Sequence, residues 1–294
     1  MSDYELLRSD AGAFTGATGV VWVSGPDTVS FLDGLLSQNV EAMAPGSVAP
    51  SLLLAPNGKL RATLWLLRDE RRLGLVCDAA RTGLVATDLT RFKIRVDATI
   101  SVEKRQVWDV WGPRSPHLLP QAPHPGSWIE DETLTARLSF RHSELPRFVV
   151  VGEQPPVKMI SGSAAAVVRI EVGEPVMGVD LTDSTIPQEG VDVTTAVDFD
   201  KGCYLGQELV ARIDSRGHVN RRLIGVVFDG MEVPPSGGEI FHEDQPVGVL
   251  SSVGFSIGLD APIALGMIRI EVADGARVAV AGRAGSVATL PLQA

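Results

Sequence analysis

The chain has 294 residues, of which 45% are hydrophobic and 21% charged, and a formal net charge of −10 with a pI near 5.0. That is ordinary globular composition, enough for about two domains or three small ones. The acidity argues against general nucleic-acid binding, which needs a basic footprint, and no apolar run approaches the ~20 residues of a membrane-spanning helix.

The first residues, MSDYELLRSDAGAF, are acidic and polar and do not read as a signal or transit peptide. The run GVVWVSGPDTVSFLDGLLSQNV predicts a strand over Val20–Val23, a turn at Ser24-Gly25-Pro26 and a helix with Pro26 at its first position. Val29, Leu32, Leu35 and Leu36 then recur at helical spacing. Two strand-like runs flank Pro56-Asn57-Gly58, where Asn-Gly between apolar runs signals a hairpin. RRLGLVCDAA adds a third strand, with Cys77 as core, and RTGLVATDLTRFKI a helix. The Pro-, His- and Gly-rich stretch 113–128 is expected to be an exposed connection. RFVVVGE reads as a strand, and SGSAAAVVRIEVGEP as a helix ended by Gly173 and Pro175. After Arg222, short strands separated by glycine and acidic turns suggest a small barrel or sandwich.

The two cysteines, Cys77 and Cys203, are far apart and form no disulfide framework, which fits a reducing, cytoplasmic compartment. The five histidines show no ligand spacing with one another or with cysteine, so no metal site is expected. No phosphate-binding glycine loop or nucleophile elbow appears.

Three stretches could carry chemistry. In DFDKGCYLGQELVARIDSRG, a helix is expected from Tyr204, which puts Lys201-Gly202-Cys203 at its positive end. A thiol there, beside a lysine, is favoured as thiolate; the plainer reading is a small residue packed under a turn. From Asp200 to Arg222 five basic residues (Lys201, Arg212, Arg216, Arg221, Arg222) stand against three acidic ones, which suits either an anion pocket or a solvated surface. In TIPQEGVD, a loop carboxylate at Glu189 could accept two parallel N–H bonds from a flat heterocycle, or simply be solvated.

Together these stretches resemble a known family. KGCYLGQE with the following NRRLIGV resembles the motif block of the YgfZ-type folate-binding proteins, relatives of the glycine cleavage T-protein (aminomethyltransferase). FLDGLLSQNV, LLLAPNGKLRATL, GVDLTDSTIPQEG and GVLSSVGFSIGLDAPIALGMI extend the likeness over most of the chain, whereas 105–165 matches nothing specific. The resemblance implies an α+β, T-protein-like fold: two ferredoxin-like α+β units around a central cavity, then a small β-barrel. The expected divisions are residues 1–105 (folate-binding unit), 106–215 (second unit, carrying the motif) and 216–294 (barrel).

It also implies tetrahydrofolate, or a one-carbon derivative, in the cavity. Glu189 would hold the pterin edge, Arg221 or Arg222 would lie near the folate carboxylates, and Asn39 would line the site. Cys203 would carry a thiol or redox role, supported by Lys201, Gly202, Tyr204, Gly206, Gln207 and Glu208. Family roles in iron–sulfur protein maintenance, and through it tRNA modification, attach to that cysteine, with iron–sulfur client or assembly proteins as partners.

One departure bears on enzymology. Where aminomethyltransferases carry an aspartate pair after the hairpin glycine, this chain has Lys59-Leu60-Arg61-Ala62-Thr63. Without a carboxylate there to move a proton, an accessory folate-binding role is expected over catalysis. The alternative is a one-carbon transferase with its acid/base elsewhere.

Overall fold

The computed structural model describes residues 1–217 and 219–292; His218, Gln293 and Ala294 lie outside that description. In chain order come α1 (Asp3–Ser9), β1 (Gly12–Thr15), β2 (Thr18–Ser24), α2 (Thr28–Asp33), β3 (Val48–Leu54), β4 (Leu60–Arg68), β5 (Arg72–Asp78), α3 (Thr82–Phe92) and β6 (Thr99–Val102). There follow β7 (Val107–Trp111), α4 (Ser115–Leu118), β8 (Trp128–Glu130), β9 (Leu134–Leu138), β10 (Arg147–Val151) and α5 (Gly162–Val172). The single turns α6 (Pro187–Gly190) and α7 (Val193–Ala196) lead to α8 (Gln207–Arg216). The last part is all strand: β11 (Arg221–Phe228), β12 (Glu239–His242), β13 (Gln245–Ser256), β14 (Ala261–Arg269), β15 (Arg277–Val280) and β16 (Arg283–Ala288).

Two antiparallel sheets, ordered β3-β4-β5-β2-β6 and β1-β7-β10-β9-β8, pack against each other, and the last six strands close a barrel. Side-chain alternation decides the layers. On β2, Val21 and Val23 face α2 and α3, where Leu32, Val85 and Leu89 cover them. Val20 and Trp22 face the other way and meet Val107, Val149 and Val151 of the second sheet. Arg72 lies 4.1 Å over the Trp22 ring, which in turn stands 6.1 Å from Trp128. The fold is therefore α+β with a C-terminal barrel, as the sequence implied. Among the described residues no helix is long and apolar enough to cross a membrane.

The sheets do not divide at residue 105. β1 pairs with β7 from Gly12↔Trp111 to Thr15↔Trp108, and α1 packs against α5, so residues 3–15 belong with the second sheet. Apolar complementarity explains it: Phe14 meets Trp111 edge-on at 4.7 Å, and Leu6 and Leu7 join Val168 and Val172. The 113–128 connection is also less exposed than expected. It contains α4; Leu119 is buried against Val110 and Phe148, and Trp128 because it opens β8 in the inter-sheet layer. Pro26 lies in the turn before α2, which starts at Thr28.

The barrel is held to α5 by Ile170 against Ile263, Leu265 and Leu292. It is also held by Asp180, whose carboxylate accepts Arg169 (2.7 Å) and the hydroxyls of Ser251 and Ser252 (2.5 and 2.7 Å). The hydroxyl of Tyr4 on α1 donates to Glu171 (2.8 Å) and accepts from the Gly258 backbone of the barrel (3.1 Å).

Candidate functional site

A cavity of about 350 Å³ opens between β3, β4, the segment after β9, the Glu174-Pro175 link and the α6–α7 turns. That is within the range of small-ligand pockets. Trp65 and Phe140 are its aromatic walls, and Ser51, Thr195, Asp192, Glu174 and Arg141 supply polar groups. Arg141 is the only cation among its described lining residues. Its Nη1 donates to the Gly190 carbonyl (2.8 Å), and burial pulls its pKa down against the opposing pull of Asp192 and Glu174. Burial also works against ionisation of Asp192, but the Thr194 hydroxyl (2.6 Å) and backbone N–H (3.0 Å) outweigh it and hold that carboxyl below its usual range. Glu174 accepts Arg147 Nη1 (2.9 Å) and the Arg141 backbone N–H (3.3 Å).

The residues singled out from the sequence surround this cavity more than they line it. Glu189 is buried, and both its oxygens are engaged: Arg221 donates Nε and Nη2 at 3.1 and 3.2 Å, and the Ile186 N–H donates at 2.9 Å. Gly190, the next residue, forms the cavity wall. Arg221 therefore braces α6 from the first barrel strand, and it also borders a separate open groove of about 410 Å³. Arg222 turns to the barrel, where it donates to the Val272 carbonyl (2.9 Å) and Asp274 (2.6 Å). Asn39 accepts the Ala42 N–H (3.0 Å) in a local turn, while its neighbour Gln38 reaches the Pro50 and Thr195 carbonyls at the cavity rim (both 3.1 Å).

The KGCYLGQE segment differs from expectation in two ways. Its helix starts at Gln207, not Tyr204, because Gly206 takes φ +80° and breaks the helix. A Cβ at Gly206 would lie 2.5 Å from the Ala55 carbonyl, so the segment sits directly on the β3–β4 hairpin turn. Lys201 does not serve the thiol. Its side chain is 1% exposed, and its Nζ donates among Asp33 O (2.6 Å), Gln38 O (2.8 Å), Leu36 O (3.0 Å) and Asp33 Oδ1 (3.0 Å). The Asp33 carbonyl ends α2, and the Leu36 and Gln38 carbonyls belong to the loop that follows, so this ammonium caps the helix end and ties down its exit loop from across the sequence.

Gln207 accepts the Tyr204 N–H (3.0 Å), Tyr204 lies half-buried 5.6 Å from Lys201, and Glu208 is exposed on α8. Gly202 borders open space. Cys203 is exposed and does not line the cavity, while Cys77 is buried and its thiol is pushed up to about 12 by desolvation. Of the basic cluster, Lys201, Arg221 and Arg222 are each committed to carboxylates or carbonyls, and the side chain of Arg216 lies outside the description.

Arg141, Asp192, Glu174 and Trp65 were not picked out from the sequence. Only Asp192 carried a signal, since it sits three residues after Glu189 in the PQEGVD stretch.

Two sheets, a central cavity and a closing barrel define the aminomethyltransferase architecture. The structure superposes on the glycine cleavage system aminomethyltransferase T of Bartonella henselae with a TM-score of 0.87. The match covers 99% of this chain and 88% of that one at 20% identity. The profile of the glycine cleavage T-protein C-terminal barrel domain matches residues 221–292. In sequence, the chain is 26% identical over 268 residues to an iron–sulfur cluster assembly factor IBA57 homolog, mitochondrial, of Chaetomium globosum, covering 80% of this chain and 60% of the relative. The homolog of the same name from Mycosarcoma maydis is 26% identical over 237 residues (74% and 57%). The tRNA-modifying protein YgfZ of Escherichia coli is 25% identical over 234 residues (74% and 71%). The chain thus spans less than two thirds of the length of the two fungal relatives. In sequence it is similar to the IBA57 and YgfZ proteins, and in fold to the aminomethyltransferase.

Proposed function

We propose that this protein is an accessory factor of iron–sulfur cluster assembly, and through it of tRNA modification, that carries a tetrahydrofolate-class ligand in its central cavity. The observation that carries the reading is the cavity itself: about 350 Å³, with two aromatic walls and a single cation opposite carboxylates. A flat heterocycle with donor edges suits such a site, because the rings give apolar contact and the carboxylates accept its N–H groups. The names of the fungal and bacterial relatives support the assembly and tRNA-modification roles. Glu189, braced by Arg221, holds the Gly190 wall to which Arg141 is tied. Cys203, which is exposed, is the thiol available to an iron–sulfur client, and two unbridged thiols fit a reducing, cytoplasmic setting.

One-carbon transfer is the less favoured reading. The stretch Lys59–Thr63 holds no carboxylate, and its Arg61 is held between Asp88 (2.8 Å) and Asp183 (3.1 Å). Calorimetric titration with tetrahydrofolate and folinate tests the proposal, with Arg141→Met and Glu189→Ala alongside the parent. Micromolar binding, weakened tenfold or more by Arg141→Met (about 1.4 kcal/mol), is expected. No heat from the parent protein, or parental affinity in both variants, rejects the site. Turnover of methylene-tetrahydrofolate with an amine would favour the transferase.

A further inference from the structure

Behind the central cavity lies a second, smaller recess of about 70 Å³ that shares Thr63, Trp65, Glu174 and Pro175 with it. The recess sits where the valine-rich layer between the two sheets gives out. Thr18 and Asp78, cross-strand partners on β2 and β5, come from the first sheet. From the second sheet come Asp109 and Trp111, two residues apart on β7 and so on one face, and Arg147, the cross-strand partner of Trp111.

Asp109 interrupts an inward-facing series, Val107-Asp109-Trp111, in which an apolar residue would be the ordinary choice. Burying a carboxyl there costs free energy that nothing in the packing of the layer recovers. Its Oδ1 accepts the Thr18 hydroxyl at 2.7 Å. Three further polar atoms around the recess are buried and have no partner: Asp109 Oδ2, Trp111 Nε1 and Arg147 Nε. Asp109 is 1% exposed and Trp111 4%. Native interiors rarely leave three such atoms in one place without a ligand or water to meet them.

The kind of group that satisfies them follows from counting. Trp111 Nε1–H and Arg147 Nε–H are donors, and Asp109 Oδ2 is an acceptor when ionised. An anion offers only acceptors and cannot serve Asp109; the recess also holds three carboxyls against two guanidiniums, and Arg169 is already shared with Asp180. An alkylammonium offers only donors and cannot serve Trp111 or Arg147. A hydroxyl oxygen has one O–H to give and two lone pairs to receive, which matches one acceptor and two donors. A water molecule needs about 10–15 Å³ of such space, so the recess holds on the order of five heavy atoms.

We propose that this recess is a binding site for a small neutral hydroxyl-bearing molecule, seated against Asp109, Trp111 and Arg147 behind the larger cavity. The inference stands on these residues alone and does not require folate in the cavity.

Ethane-1,2-diol is the probe, titrated into the ¹⁵N-labelled full chain while the tryptophan indole N–H resonances are followed. The indoles of Trp22, Trp108 and Trp128 already donate to Glu103, the Gly152 carbonyl and the Arg68 carbonyl, and serve as internal controls. The diol is expected to shift the Trp111 indole saturably and leave those three in place. Trp111→Phe keeps the edge-on packing with Phe14 and Phe140 but deletes one donor. It is expected to weaken the diol about fivefold by ligand-observed saturation transfer, the effect of one ordinary hydrogen bond. If that variant does not fold, Arg147→Lys keeps the charge facing Glu174, lacks the Nε–H and gives the same comparison. The proposal is overturned by an unmoved Trp111 indole, by equal diol affinity in parent and variant, or by tighter binding of acetate, methylammonium or acetamide than of the diol.

Discussion

Replacing Asp109 with asparagine isolates the cost of a buried carboxyl at the sheet–sheet junction. Burial pushes the Asp109 carboxyl up to about 6, against the opposing effects of Arg147 and the Thr18 bonds. An unfolded-chain aspartate titrates near 3.9. The folded chain therefore holds this proton more tightly than the unfolded chain does. The group favours folding fully below about pH 4, and that contribution is lost as pH rises through about 6. Between about pH 4.5 and about pH 7.5 the loss amounts to about 2 kcal/mol, at 1.36 kcal/mol per unit of separation.

The substituted amide would still accept the Thr18 hydroxyl and would not titrate. Urea denaturation of parent and variant at both pH values gives a double difference in which the other groups cancel. These include Asp78, raised by burial to about 6, and Glu103, where Arg105 and Trp22 outweigh burial and hold the carboxyl down to about 2. Asp109→Asn should gain about 2 kcal/mol on the parent over that pH interval. A gain below about 0.5 kcal/mol would refute the desolvation of Asp109, because a fully hydrated carboxyl shows no such linkage.

Three other outcomes follow from the motif segment. Lys201→Met takes the ammonium from the Asp33, Leu36 and Gln38 carbonyls and from an Asp33 carboxylate that keeps only the Val40 and Glu41 N–H groups, and should cost about 3 kcal/mol by chemical denaturation; a loss under about 1 kcal/mol would contradict this bracing role. Gly206→Ala should cost about 1–3 kcal/mol, since the left-handed backbone and the Ala55 carbonyl both oppose a Cβ. Gly202→Ala meets open space and should be near neutral, and equal costs at the two glycines would undo that contrast. A thiol reagent should label Cys203 quickly in the folded protein and Cys77 only on unfolding; fast reaction at both would show that the strand holding Cys77 is not packed.

Much of the fold could be read from local pattern. The hairpin at Asn57-Gly58, the helix over 162–172 with its left-handed Gly173 stop, and the barrel strands after residue 220 all rest on short-range signals. What was not legible depends on partners distant in sequence. Lys201 reads as a neighbour of Cys203 until its acceptors, more than 160 residues earlier, come into contact with it. Glu189 reads as a free loop carboxylate until β11 brings Arg221 to it. Arg141, the cavity's cation, lies in the one region without a family likeness and has no periodicity or motif to mark it. Asp109 was visible in principle, as a charge in the middle of a strand-like alternation. Its meaning needed Arg147 and Trp111 side by side on the neighbouring strands.

The position of the first helix has a consequence for how the molecule is made. α1 is fixed by α5 and by a backbone N–H at Gly258, so its residues take their partners from stretches of chain synthesised much later than themselves. β1 likewise waits for β7 to complete the edge of its sheet. Until those later segments emerge, Leu6, Leu7 and Phe14 remain uncovered on the nascent chain, a non-local closure that slows folding and exposes apolar surface to other molecules. The step that buries them also clamps the second sheet to the barrel through Tyr4, so three separately built layers are locked by a segment made before any of them.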